Sequence, residues 1–121
     1  SMSLKASILL FDGFPMFKKD DGGKPRLSLV EPEYIIGTAK ILTFGAEKYG
    51  KNNWKTAKGD DMERYNDALL RHLYAYLGGE RLDPESGQPH LHHVSCNLMF
   101  LDYFDRQRAK STASIETIRI G

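Results

Sequence analysis

One cysteine, Cys96, is too few for an intrachain disulfide and fits a protein of the reducing cytoplasm. Apolar runs are short, and none approaches the roughly 20 residues that a membrane span needs. Charge of one sign is also missing: 17 Lys and Arg face 16 Asp and Glu, for a formal net charge of +1. That balance supplies no overall basic field of the kind that draws a protein onto nucleic acid. The HExxH, CxxC, P-loop and GxGxxG patterns are absent, which leaves zinc peptidase, zinc finger, Walker NTPase and Rossmann readings without support. No internal repeat, heptad or low-complexity tract occurs. The opening Ser1-Met2-Ser3-Leu4 lacks the charged start and cleavage site of a signal peptide and reads as an expression remnant.

What is present suits a single domain spanning residues 1–121, with 40% hydrophobic and 27% charged residues. Residues 5–31 read as an extended or looped lead-in. It begins with ASILLF, short enough to be a strand, and continues through DGFPMFKKDDGGKPR, whose glycines and prolines forbid regular structure. Lys18, Lys19, Lys24 and Arg26 make that loop basic, either as a solvated surface or as an arm that helps neutralise a phosphate. LSLVE then runs extended into Pro32, which suits a first helical turn. Residues 32–108 form a helical core, with helices expected near 32–48, 61–77 and 89–108. Ile35, Ile36, Ala39, Leu42 and Ala46 form the stripe of the first helix. Gly50 is its candidate cap, Asp60 or Asp61 starts the second helix, and Gly78-Gly79 stops it. Pro89 opens the third helix. In the tail, residues 109–121, SIETIRI has the β-branched content of a short strand. The expected fold is therefore all-α, a helical bundle with short extended or β termini. Three helices enclose a thin core, so the bundle is expected to be completed by oligomerisation, as a homodimer or larger assembly.

The stretch 63–104 holds the polar groups that an ordinary helix pair would not carry. His90, His93 and Asn97 fall at i, i+3 and i+7 and share a face with Phe100 and Phe104. His72, Asp67 and Arg71 stand on the preceding helix, and Glu80, Asp83 and Glu85 crowd the turn between. Such groups are costly to bury without partners. The acidic turn offers oxygen ligands of the kind Mg²⁺ or Mn²⁺ takes, or is simply a solvated turn. Asp67 can pair with Arg71 one helical turn on. Imidazoles spaced three apart can bind a transition metal, act as acid and base, or hydrogen-bond within a core, while His92 reads as the solvated histidine. In GAEKYGKNNW, Tyr49 and Trp54 can stack on a nucleobase and Asn52 and Asn53 can read its edge. Lys48, Lys51 and Lys55 suit a polyphosphate. The alternative is a Trp-anchored loop packed on the bundle.

GAEKYGKNNW followed by RYNDALLRHLYAYLGGERLDPESGQPHLHHVSCNLMFL resembles the dATP/dGTP diphosphohydrolase (N-terminal domain) family of phages and bacteria, over about residues 22–104. That family is distantly similar to the all-α NTP pyrophosphohydrolases of MazG type. The resemblance implies a helical bundle, an oligomer, and Mg²⁺-dependent hydrolysis of a purine deoxynucleoside triphosphate to monophosphate and pyrophosphate. The EExxE and ExxD metal motifs of MazG-type enzymes are absent, so no ligand carries over by position. On the residues themselves, Asp67, Glu80 and Asp83 are the expected metal ligands, for Mg²⁺ with Mn²⁺ as the alternative. His93 or His72 is the expected group acting on water. Lys48 and Arg71 are expected on the phosphates and Tyr49, Asn53 and Trp54 on the base, with His90 and Asn97 also facing substrate. The partner is a nucleotide, with neither membrane nor nucleic acid involved, and the expected compartment is the cytoplasm. The rival reading is a non-catalytic nucleotide- or partner-binding module on the same scaffold.

Overall fold

The computed structural model describes residues 16–120. The ASILLF segment, expected as a strand, lies outside the described residues. The main elements are three helices: α1, Pro32–Tyr49; α2, Asp61–Leu77; and α3, His90–Ile120. Each begins and ends for a local reason. Pro32 sits at the start of α1, where its missing N–H costs nothing, and the Glu31 carboxylate accepts from the Tyr34 N–H at 2.8 Å. At the other end Gly50, with φ of 94°, donates its N–H to the Ala46 carbonyl at 2.8 Å. A side chain at that φ would be strained. The polar loop that follows winds into a 3-10 turn, Asn53–Thr56, entered through the left-handed Asn52. Asp61 then accepts from the Lys58 N–H at 3.1 Å, and α2 runs to Gly78, whose N–H caps the Tyr74 carbonyl at 2.9 Å.

The segment 27–29, expected to be extended, is a 3-10 turn, closed by the Val30 N–H on the Leu27 carbonyl. A larger difference lies at the far end. SIETIRI is not a strand: it continues α3 as far as Ile120. Strand preference expresses packing against a sheet more than a backbone bias. Among the described residues there is no sheet to receive it, only an isolated antiparallel bridge between Leu82 and Pro89. A helix already nucleated over residues 90–108 gains one bond for each residue it adds. Thr117 fits by turning its hydroxyl back onto the Ala113 carbonyl at 2.9 Å.

The third helix is the spine, packed along α2 and, over a shorter length, along α1. At 31 residues it is about 46 Å long, well beyond the reach of the 17-residue α2. Two contacts fix the packing. The first is aromatic: the Trp54 ring lies 4.8 Å from Phe100 and 5.0 Å from Tyr103, and Tyr65 lies 4.9 Å from Phe100. Such pairs contribute about 0.5–1.5 kcal/mol each beyond the area they bury. The second is a notch. Gly37 is buried, and a Cβ on it would stand 2.1 Å from the His92 ring, so the absent side chain makes room for the imidazole. His92 is thus a packing residue between α1 and α3 and not the solvated histidine its position suggests. Its Nδ1 is buried without a partner, while Ser95 one turn on is hydrogen-bonded to the Tyr34 hydroxyl.

The core these contacts enclose is thin. Cys96, His90 and Asn97 are buried, whereas Ile35, Phe44, Tyr74 and Leu77 are each about half exposed or more. Burial raises the Cys96 thiol to about 11, which makes it an inert packing group. No described helix is long and apolar enough to cross a membrane.

Candidate active site

The link between α2 and α3 has a fixed shape. Its backbone closes through Asp83 N–H to the Gln88 carbonyl at 2.8 Å, Gly87 N–H to Asp83 at 2.7 Å, and His90 N–H to Arg81 at 2.9 Å. Inside this loop the Asp83 carboxylate accepts from the N–H groups of Ser86, at 3.1 Å, and Glu85, at 3.4 Å. Burial by itself would raise the Asp83 pKa, but the hydrogen bonds from Ser86 and Glu85 outweigh it and hold the carboxyl below its ordinary value. The group is therefore an anion near neutral pH. Ser86 also receives the Gln88 N–H at 3.2 Å, and its hydroxyl lies 2.7 Å from His93 Nε2.

The loop delivers Asp83 to two histidines carried by different helices. His72 of α2 and His93 of α3 stack face to face, 4.2 Å apart and within 4° of parallel. One nitrogen of each and a carboxylate oxygen of Asp83 lie within 4.8 Å of one another. Burial lowers the pKa of both imidazoles; the potential positive charge of His93 depresses His72 further, to about 4, and those of His90 and His92 depress His93. Two neutral imidazoles beside one carboxylate form a donor set that a metal ion can use directly, because histidine ligates only as the neutral ring.

Glu80 and His90 stand behind this trio. His90 Nε2 is 2.7 Å from Glu80 Oε1, and its Nδ1 is 2.8 Å from His72 Nδ1. His90 is 3% exposed with both nitrogens engaged, so it has nothing to offer a substrate. The expected ligand trio of Asp67, Glu80 and Asp83 is not brought together. Glu80 turns to His90, and Asp67 is exposed on α2 and does not join the cluster. No ion pair joins Asp67 to Arg71 among the described residues. Asp83 is the one member found in the cluster, where it lies with His72 and His93.

Beside the cluster runs an open groove of about 1330 Å³ between the end of α1, the 51–57 loop, α2 and α3. Lys48, Tyr49, Asn53, Trp54, Asp67, Arg71, His72, His93 and Asn97 all contribute to its walls. Their chemistry is not uniform. Lys48 lies 5.2 Å over its own neighbour Tyr49, and both are exposed. Trp54 is half-buried, with its ring taken up by the α3 aromatics, which favours the packing anchor over a base-stacking surface. Asn97 uses its amide on the His93 carbonyl at 2.9 Å, steadying the turn of α3 that carries His93. The basic segment 18–26 does not line the groove. Ser86 and Arg64 are not among the residues that the sequence singles out. Ser86 two residues after Pro84 looks like ordinary turn chemistry, and only the folded loop aims it at His93. Arg64 adds a guanidinium to the groove wall beside Lys48, Lys51 and Arg71.

Comparison with known proteins agrees with the resemblance. The family model described as dATP/dGTP diphosphohydrolase, N-terminal, matches residues 16–113. A protein of Salmonella phage PMBT28 described as dATP/dGTP diphosphohydrolase is 36% identical over 93 residues, covering 77% of this chain and 31% of the relative. The chain thus spans about a third of that relative's length. No solved structure matches.

Proposed function

The chain belongs to the dATP/dGTP diphosphohydrolase (N-terminal) family, and on that premise we propose that it hydrolyses a purine deoxynucleoside triphosphate to monophosphate and pyrophosphate with the help of a divalent cation. The observation that carries this reading is the convergence of His72, Asp83 and His93 beside a groove walled by Lys48, Lys51, Arg64 and Arg71. Two nitrogens and one oxygen suit Mn²⁺ or a neighbouring transition ion better than Mg²⁺, which prefers oxygen alone. A cation held there would supply positive charge at the phosphates and lower the pKa of a nearby water.

The remaining chemistry falls to the chain. Lys48, Lys51, Arg64 and Arg71 hold the triphosphate and offset the charge that develops on its oxygens as the bond to pyrophosphate breaks. Asp67 lines the groove and is joined to no described residue by a hydrogen bond or ion pair, which supports assigning its carboxylate oxygen the proton of the attacking water. This reassigns the base, because His72 and His93 serve as ligands. Tyr49 and Asn53, which line the groove, are the candidates for contact with the nucleobase. The exposed Ile35, Phe44 and Leu77 support a further part of the proposal, that the protein works as a homodimer or larger homo-oligomer.

One observation favours the rival, a nucleotide-binding module without chemistry: the cluster satisfies itself through Ser86, His90 and Glu80 with no added ion. A panel of deoxynucleoside triphosphates with Mg²⁺ or Mn²⁺ separates the two. Pyrophosphate release from dATP and dGTP, greater with Mn²⁺, is the expected result. Thermal stabilisation by the same nucleotides without turnover would mean the module.

A further inference from the structure

The Glu80–His90 pair is not accounted for by ligation or by substrate contact, and its cost is plain. His90 is 3% exposed and sits at the first residue of α3, where an apolar residue would bury without penalty. Its two nitrogens nevertheless face two specific groups, the Glu80 carboxylate at 2.7 Å and His72 Nδ1 at 2.8 Å.

The proton positions follow from what each group can do. An ionised carboxylate only accepts, so His90 Nε2 carries the hydrogen that points at Glu80. A neutral His90 then has a bare Nδ1, which can only accept. With His90 neutral, His72 donates through its own Nδ1–H, whereas an imidazolium at His90 would donate instead and require the opposite tautomer of His72. The neutral case leaves the lone pair of His72 on Nε2, the nitrogen not engaged with His90. A free histidine has no such obligation and divides itself between two tautomers, only one of which has that lone pair available.

We propose that Glu80 and His90 form a relay that fixes His72 as its Nδ1–H tautomer and so presents the Nε2 lone pair to the cation site. Glu80 and His90 are positioning residues in this scheme. They touch neither cation nor substrate, and their effect reaches the site through one imidazole. Carboxylate partners of ligating histidines are common, and their loss typically lowers metal affinity by about 10- to 100-fold. Here a second imidazole is interposed, which lets an exposed carboxylate on the α2–α3 turn set the state of a ring on α2. The inference rests on the metal-site reading for its purpose but not for its geometry.

Long-range ¹H–¹⁵N correlation of the histidine rings in the metal-free wild-type protein reads the tautomer directly. The expected result is a protonated Nδ1 and an unprotonated Nε2 at His72. In Glu80→Leu and Glu80→Ala, which leave no side-chain acceptor for His90 Nε2–H, His72 should become a mixture of tautomers, and titration with Mn²⁺ alone should show affinity reduced about 10-fold or more. Glu80 is exposed, so neither change threatens the core. A protonated Nε2 at His72 in the wild type would overturn the relay, as would an unchanged tautomer and unchanged Mn²⁺ affinity in both variants. If the wild type binds no Mn²⁺, the metal reading fails, and the tautomer of His72 in wild type and variants still decides the relay.

Discussion

At the scale of the residue, histidine matters most, because only a neutral imidazole can ligate a metal ion and burial of a charged one is costly. The folded pKa of His72, about 4, lies below its ordinary 6.5, and that of His93 is lowered in the same direction. Between those two values the unfolded chain binds protons that the folded chain does not. The stability that comes from keeping these rings neutral is therefore complete above pH 6.5 and falls as pH drops toward 4. Asp83, also depressed, adds a further loss below its ordinary 3.8. Melting temperature measured against pH should decline through this window, and His72→Gln should flatten the decline. A melting temperature independent of pH there would contradict the environment assigned to the rings. Trp54 supplies a second test at this scale. Its ring is occupied by Phe100 and Tyr103, so Trp54→Ala should cost about 2–4 kcal/mol of stability while the KM of the remaining folded protein changes little. A rise in KM without a loss of stability would restore the stacking role that the sequence allows.

At the scale of elements, the helix starts and stops were legible because they rest on local chemistry. Pro32, Gly50 and the Gly78-Gly79 pair state their conformations in the sequence, and the three helices begin within a residue of the expected positions. The C-terminal segment was not legible. Its β-branched residues signal a preference that only a neighbouring sheet could realise, and the continuing helix overrode it. The Gly37 notch was half legible: a glycine inside an apolar stripe announces a close approach but not of what. The approaching group is His92, which gives a sharp prediction. Gly37→Ala should force the imidazole out of its seat and destabilise the protein by about 1–3 kcal/mol. Made in a His92→Ala background, the same change should cost much less. Equal costs in the two backgrounds, measured by denaturant unfolding, would show that the notch does not join α1 to α3.

For the whole molecule, the sequence marked out the α2–α3 hairpin as the place of the chemistry, but not which carboxylates belong to it. Periodicity places residues on a helix face, and Glu80, Asp83 and Ser86 are in a turn, where the closure between Asp83 and Gln88 decides which side chain points inward. The thin core has its own consequence. With Ile35, Phe44 and Leu77 exposed, light scattering at micromolar concentration should find a dimer or larger species, and a stable monomer would remove oligomerisation from the account. The central claim is that His72, Asp83 and His93 form one cation site serving hydrolysis in the adjacent groove. Its most direct test is Mn²⁺-dependent pyrophosphate release from dATP and dGTP by the wild type beside Asp83→Asn and His93→Ala, each shown by circular dichroism to be folded. Activity is expected in the wild type, with a loss of about 100-fold or more in both variants. Full activity in both would contradict it.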